Sequence, residues 1–379
     1  MAGLYLHIPF CKQACHYCNF HFSTSLRLKG DLVKAILVEI EAREKYLSGV
    51  PLKSIYLGGG TPSLLSGEEL GLIFNKIYEV FSVEQDAEIT LEANPDDLDP
   101  EKINQLKNTP VNRLSIGVQS FFQEDLKAWN RAHSAEEAIS CIKQVQKAGF
   151  DNLTVDLIYG SPTTSHDRWR KNVQQLIDFE IPHLSCYALT VEEKTALGHF
   201  VRKGKVEAPK EAHAAEQFEI LMEMMVTHGY DHYEISNFAK PGYYAIHNSS
   251  YWKGAHYLGI GPAAHSFNGH SRSWNIANNA KYIKAVTLGE ESGIDLYETE
   301  NLTLAQRYNE YILTGLRTIW GCSIAQIGDI SPDFKAYFQS GVIPFIENGQ
   351  MAQKGDTYYL TSTGKLLADF ISAELFMEE

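Results

Sequence analysis

The chain has 379 residues, 44% hydrophobic and 11% aromatic, which is enough for a sizeable core in two or three domains and excludes a disordered protein. A formal charge of −14 excludes a broad basic surface for nucleic acid, and there is no apolar run of about eighteen residues to span a membrane. Six cysteines, three of them clustered, do not make a disulfide framework, and the N-terminal Met-Ala-Gly-Leu-Tyr-Leu-His lacks the regions of a secretory signal, so a reducing, cytoplasmic setting is expected.

The first β-rich run, Leu4 to Ile8, leads directly into Cys11, Cys15 and Cys18, spaced C-x3-C-x2-C. Three thiolates on one tight loop can hold three irons of a [4Fe–4S] cluster and leave the fourth iron open to a non-protein ligand. For this spacing, the open iron is the working position of radical S-adenosylmethionine (SAM) chemistry. A structural zinc site would need a fourth ligand, which His7, His16 or His21 could supply; the third alternative is three buried, inert thiols.

Further strands are expected at Lys53 to Leu57, Ala87 to Glu92, Arg113 to Val118, Leu153 to Ile158 and His183 to Leu189. Amphipathic helices separate them: Leu32, Val33, Ile36, Leu37 and Ile40 share one face, and Leu70, Ile73, Phe74, Ile77 and Phe81 another. Ser66 with Glu69 and Ser134 with Glu137 read as capping boxes, and Asp99-Pro100 as a helix start. Alternating strands and helices predict a parallel sheet, and six units predict a partial (β/α)6 barrel.

In such a barrel the chemistry gathers at the C-terminal ends of the strands. Those ends carry the cysteine loop, Gly58-Gly59-Gly60-Thr61-Pro62, Glu92-Ala93-Asn94-Pro95, Gly117-Val118-Gln119-Ser120, and Asp156 before Tyr159-Gly160-Ser161-Pro162. The glycines serve either a tight turn or close approach of the backbone to a ligand. Glu92 and Asp156 are either strand-end carboxylates in structural pairs or partners of an ammonium group and a sugar hydroxyl. Gln119 either ties a loop or meets a ligand, and Arg131 either ends a helix or pairs with a carboxylate.

Beyond Leu189 the texture changes. Glu192 to Pro209 is polar, and Pro209 to Gly229 predicts one helix with Phe218, Leu221 and Met225 inward. Tyr230 to Phe267 holds His232, His247, His256 and His265 among tyrosines, Trp252 and Gly259-Ile260-Gly261-Pro262. From Asn301 the chain reads as a small domain: a helix over Thr303 to Ile319, short helices, a hairpin at Gln350 to Leu360 and a last helix. The divisions expected are 1–190 for the partial barrel, 191–300 for an α+β extension and 301–379 for a winged-helix-like C-terminal domain.

Tyr-x-His-Ile-Pro-Phe-Cys-x3-Cys-x-Tyr-Cys, Gly-Gly-Gly-Thr-Pro-Ser, Glu-x-Asn-Pro, Gly-Val-Gln-Ser-Phe and Asp-Leu-Ile-Tyr-Gly together resemble the HemN/HemW branch of the radical SAM proteins. The resemblance implies that Cys11, Cys15 and Cys18 bind a [4Fe–4S] cluster. It places Tyr5 and the backbone at Tyr17 along the SAM site, Gly59, Gly60, Thr61 and Glu92 at the methionine amino end, and Gln119, Arg131 and Asp156 around the carboxylate and ribose. The coproporphyrinogen III dehydrogenases of this branch carry another cysteine two positions after the third, where this chain has Phe20, and an N-terminal extension before the motif. The haem-chaperone members carry His-Asn-x-x-Tyr-Trp, matched here by His247-Asn248-Ser249-Ser250-Tyr251-Trp252.

The function implied is a haem-binding chaperone delivering haem to respiratory haem proteins. His247 is the haem candidate, with His256 and His265 as alternatives. Partners expected are haem and its acceptors, not nucleic acid; no membrane span is expected, and peripheral membrane contact is left open. A coproporphyrinogen III oxidase in porphyrin biosynthesis and a zinc-stabilised scaffold are the competing readings.

Overall fold

The computed structural model describes residues 2–378. Six parallel strands form in chain order: β1 (Ala2–Ile8), β2 (Leu52–Gly59), β3 (Val83–Ala93), β4 (Arg113–Gln119), β5 (Leu153–Tyr159) and β6 (His183–Ala188). Between them run α1 (Lys29–Ala42), α2 (Gly67–Val80), α3 (Pro100–Lys107), α4 (Gln123–Ala128), α5 (Ala135–Lys147) and α6 (His166–Asp178). Both expected capping boxes form: Ser66 accepts from the Glu69 amide and Ser134 from the Glu137 amide, and each glutamate returns the bond. The Asp99 side chain caps α3 ahead of Pro100. These strands alternate: one face is apolar, as in Leu4, Leu6 and Ile8 or Leu114, Ile116 and Val118, and the other carries buried polar groups such as His7, Ser54, Thr90, Arg113 and Thr154.

Next come α7 (Ala196–Arg202) and α8 (Glu211–Thr227), then the hairpin β7 (Asp231–Glu234) and β8 (Asn237–Ala239). Then follow α9 (Ile246–Trp252), β9 (His256–Ile260), β10 (His265–Phe267), β11 (Ser271–Asn275), α10 (Asn279–Leu288) and β12 (Tyr297–Asn301). All of these strands join the same sheet, in the order β12-β11-β10-β9-β1-β2-β3-β4-β5-β6-β8-β7. β9 lies parallel to β1, a seventh parallel strand beyond the six expected, whereas β10, β11 and β12 extend that side antiparallel. Residues 191–300 thus share the sheet and core of the first half: Phe218, Leu221, Leu258 and Ile260 pack with Leu4, Ile55 and Val155.

The C-terminal part has its own core. Here α11 (Leu304–Leu316) buries Tyr308, Ile312 and Leu316 against Phe338, Tyr358 and Ile371. A three-stranded sheet joins β13 (Cys322–Ser323), β14 (Met351–Lys354) and β15 (Thr357–Leu360) among five short helices. It is tied to the larger sheet where the Ile235 amide donates to Arg317 O at 2.9 Å and the Ile319 amide to Tyr233 O at 3.0 Å. Among the described residues no helix is long and apolar enough to cross a membrane.

Candidate functional site at the strand ends

The cysteine loop leaves β1 and is closed at its base: the Cys11 amide donates to Ser23 O at 3.1 Å and the Ser23 amide to Pro9 O at 2.8 Å. Its tip docks on the turn after α4. Gln13 Nε2 donates to Asn130 Oδ1 at 2.8 Å, Asn130 Nδ2 donates to Ala14 O at 2.8 Å, and the His16 amide donates to Trp129 O at 3.0 Å. Asn130 takes a left-handed backbone, φ 57°, a conformation asparagine adopts more readily than most residues. Lys12 pairs with Asp96 at 3.0 Å and Asp97 at 2.5 Å. The loop is therefore held from outside the thiols.

The three thiols are half-buried. Burial, with the neighbouring thiols adding to it, pushes Cys11 up to about 11, and burial pushes Cys18 up as well. Three thiolates in this setting need a cationic centre to hold them deprotonated. Arg131 supplies part of that charge: its Nη1 donates to Cys15 Sγ at 3.2 Å, while Nη2 donates to Asn94 Oδ1 at 2.6 Å and Gly117 O at 2.5 Å. Among the described residues no three of His, Cys, Asp and Glu are grouped as one metal ion would require. Three thiols on one loop with Arg131 beside Cys15 suit the three protein-held irons of a cubane, which leaves its fourth iron to another ligand. The donor set fits the cluster.

Around the loop the strand ends present the polar groups expected there. Glu92 accepts from Tyr56 Oη at 2.7 Å and from the Gly59 amide at 3.1 Å. Burial raises its carboxyl to about 7 despite those bonds, and the neighbouring Asp156 adds to the effect. Asp156 is raised to about 6 by burial, against the pull of Ser185 and Arg113. Two neighbouring carboxylates held out of water, and raised by that burial although Arg113 and Arg131 act on Asp156, fit a cationic ligand. Arg131 keeps a buried Nε–H with no partner, which fits an anionic group beside them. β4 slips register between Gly117 and Gln119, and Gln119 takes φ 71°; such a bulge re-aims a strand end beside a site. Tyr17 packs beside Trp129, Ile158, Leu189 and Leu197.

Gly59 and Gly60 answer to the chain itself. A Cβ on Gly60 would lie 2.6 Å from Ile8 O and 2.7 Å from the Phe10 amide nitrogen, because its own amide donates to Ile8 O at 3.0 Å. Close backbone approach here is thus between the end of β2 and the start of the cysteine loop. Gly60→Ala is expected to destabilise the fold by about 1–3 kcal/mol through this overlap, measured by urea unfolding; an unchanged midpoint would contradict the packing described.

A second feature lies beyond Tyr5. A cavity of about 1040 Å³ opens between the β9–β11 side of the sheet and α11, with Asn19, Phe20 and His21 of the cysteine loop at its margin. Tyr5, His7 and His265 line it; His247 does not. His247 is buried behind Tyr251, with Nδ1 2.8 Å from Ser54 Oγ and Nε2 2.8 Å from Tyr251 Oη. Burial lowers its pKa to about 3, so the ring is neutral. Tyr56, His247 and Tyr5 form a three-ring cluster, with centroids 5.0 Å (Tyr56–His247), 6.1 Å (Tyr5–Tyr56) and 6.4 Å (Tyr5–His247) apart, so Glu92, bonded to Tyr56, and the cavity wall at Tyr5 meet one aromatic cluster. Sequence reasoning passed over Asn130 and the cavity's Arg272 and Arg307. Asn130 directly precedes Arg131, which the sequence does single out, but the two arginines have no local signal.

Comparison with known proteins bears on these features. Residues 5–176 match the model of the radical SAM superfamily. The heme chaperone HemW of Bacillus subtilis is 33% identical over 372 residues, covering 97% of each chain, and that of Escherichia coli is 38% identical over 268 residues, covering 69% of each. The solved structure of coproporphyrinogen III oxidase (HemN) from Escherichia coli, described as a radical SAM enzyme, superposes with a TM-score of 0.84 at 21% identity, over 99% of this chain and 90% of that one. At that identity the likeness is one of fold.

Proposed function

The chain belongs to the HemW family of the radical SAM superfamily, and from that premise we propose that it is a haem-binding chaperone. It would hold a [4Fe–4S] cluster and SAM at the strand ends and deliver haem to respiratory haem proteins. The observation that carries the haem reading is the cavity beside the strand ends, large, aromatic-walled and cationic in a chain of net charge −14. Small-ligand sites occupy about 300–1,000 Å³, and this one is at the upper end of that range. Phe20 is 68% exposed at its margin, apolar where the dehydrogenases of the resemblance carry a thiol.

Cys11, Cys15 and Cys18 would hold the cluster, and Tyr5 and the Tyr17 backbone would border SAM. Gly59, Gly60, Thr61 and Glu92 would receive its amino end, with Gln119, Arg131 and Asp156 around its carboxylate and ribose. When bound, the cluster and SAM supply one-electron chemistry. The chain's contribution is charge: Glu92 must be ionised to attract a cation, and its free-state pKa of about 7 leaves it largely protonated at pH 6. SAM affinity is therefore expected to fall up to about tenfold from pH 8 to pH 6, and Glu92→Gln to be weak and flat across that range. Calorimetric titration checks this, and pH-independent binding by wild type would count against Glu92 in that role.

Haem binding is tested by titrating the purified full-length protein with haemin. One equivalent with a shifted Soret band is expected; absorption unchanged from free haemin would contradict the proposal.

A further inference from the structure

The cavity carries enough detail to assign how haem would sit in it, an assignment that rests on the haem-binding reading above. Its lining includes three cations, Lys253, Arg272 and Arg307, against one carboxylate, Glu310. Arg272 Nε lies 2.8 Å from Glu310 Oε1, so those two charges offset each other. Arg307, half-buried on α11, has no acidic partner among the described residues, and Lys253 has only the Trp320 ring, 3.8 Å from its Nζ. Two uncompensated cations remain on the rim of an aromatic cavity, matching the two propionates of haem in number and sign.

Three histidines line the cavity, and they are not equivalent. His7 has both ring nitrogens engaged, Nδ1 by Tyr5 Oη at 3.1 Å and Nε2 by His21 O at 2.9 Å. His21 Nε2 lies 2.7 Å from Asn279 Oδ1. His265, on β10, is exposed and lines the cavity, and neither of its ring nitrogens has a hydrogen-bond partner among the described residues. Burial and the nearby Arg272 lower its pKa, which favours the neutral imidazole that ligates iron. His247, by contrast, does not line the cavity and has both ring nitrogens bonded, so it would have to give up at least one of Ser54 and Tyr251 to reach iron.

We propose that His265 is the axial ligand of haem iron in this cavity, that Arg307 and Lys253 take the propionates, and that His247 is a positioning residue acting through Tyr251. The i, i+4 spacing of His247 and Tyr251 on α9 puts the two rings edge to face, 4.8 Å apart between centroids. The histidine thereby fixes the tyrosine as part of the cavity wall, which gives the His-x-x-x-Tyr spacing a role other than ligation.

The test is a haemin titration of the full-length protein as wild type, His265→Ala, His247→Ala, Tyr251→Phe and Arg307→Glu, read by absorption and by electron paramagnetic resonance. His265→Ala is expected to lose the histidine-ligated signature and bind about tenfold or more weakly. Added imidazole should restore the wild-type spectrum, which a merely structural role would not allow. His247→Ala and Tyr251→Phe should keep the ligated spectrum and change affinity by a few-fold at most, and Arg307→Glu should weaken binding without altering the spectrum. Wild-type spectra from His265→Ala, or loss of the ligand signature in His247→Ala or Tyr251→Phe alone, would overturn the assignment. A wild-type protein without any haem-induced absorption would instead sink the haem reading itself.

Discussion

Replacing Cys15 by alanine will abolish the brown charge-transfer absorption of the anaerobically reconstituted protein and drop its iron from about four atoms per chain towards none. The effect should be all or nothing because the loop offers three thiols, and the remaining two cannot hold a cubane against the charge that assembles on it. Its fold should survive. The loop is pinned by backbone and amide bonds at Cys11, Gln13, Ala14, His16 and Ser23, none of which uses the Cys15 thiol. Stability should therefore change by about 0.5 kcal/mol or less, as for a half-exposed loop position. A brown protein with full iron in Cys15→Ala would mean that the loop is not the cluster site. Zinc in wild-type protein at one equivalent, with no such band, would favour the scaffold reading instead.

Arg113→Leu is the substitution expected to cost most in stability, about 3–5 kcal/mol, because it breaks a buried charge pair from one side. Arg113 is fully buried on β4, where it donates to Asn152 Oδ1 at 2.7 Å and to Thr154 Oγ1, with Glu88 3.9 Å from its Nε. Glu88 in turn accepts the Ile246 and His247 amides, each at 2.9 Å, at the start of α9. Without the arginine, a buried carboxylate is left with two amides and no cation, and α9 loses the anchor that holds His247 and Tyr251 against the sheet. Urea unfolding should show a lowered midpoint, and haem affinity should fall with it. Glu88→Gln added to Arg113→Leu removes the stranded charge, so the pair should cost less than the sum of the singles. Strict additivity would show that the two side chains do not act as a unit.

The strand–helix half of the chain was legible because its signals are local. Capping boxes at Ser66 and Ser134, the Asp99-Pro100 start and short β-rich runs each lie within a few residues, and the structure uses them as read. β9 was not legible: its place beside β1 pairs Gly3 with Tyr257 and Tyr5 with Gly259, partners separated by most of the chain. The glycines after β2 were read towards a ligand; a second demand on Gly60, the overlap a Cβ there would make with the turn that follows β1, depends on a partner about fifty residues away and has no local signal. His247 shows the limit most clearly. Its motif is visible in six residues, yet whether its ring nitrogens are free depends on Ser54, 193 residues away. The cavity is harder still: Phe20 and His265 are visible in the sequence, but nothing local joins them to each other or to Arg272 and Arg307, which line the same space.

The central claim is that the chain carries haem and does not make porphyrin. Its most direct test is one anaerobic sample of cluster-reconstituted protein given SAM, a reductant, one equivalent of haem and excess coproporphyrinogen III, followed by chromatography of protein and porphyrins. The account predicts haem co-eluting with the protein and coproporphyrinogen recovered unconverted. Protoporphyrinogen formed over several turnovers, with haem eluting free, would contradict it.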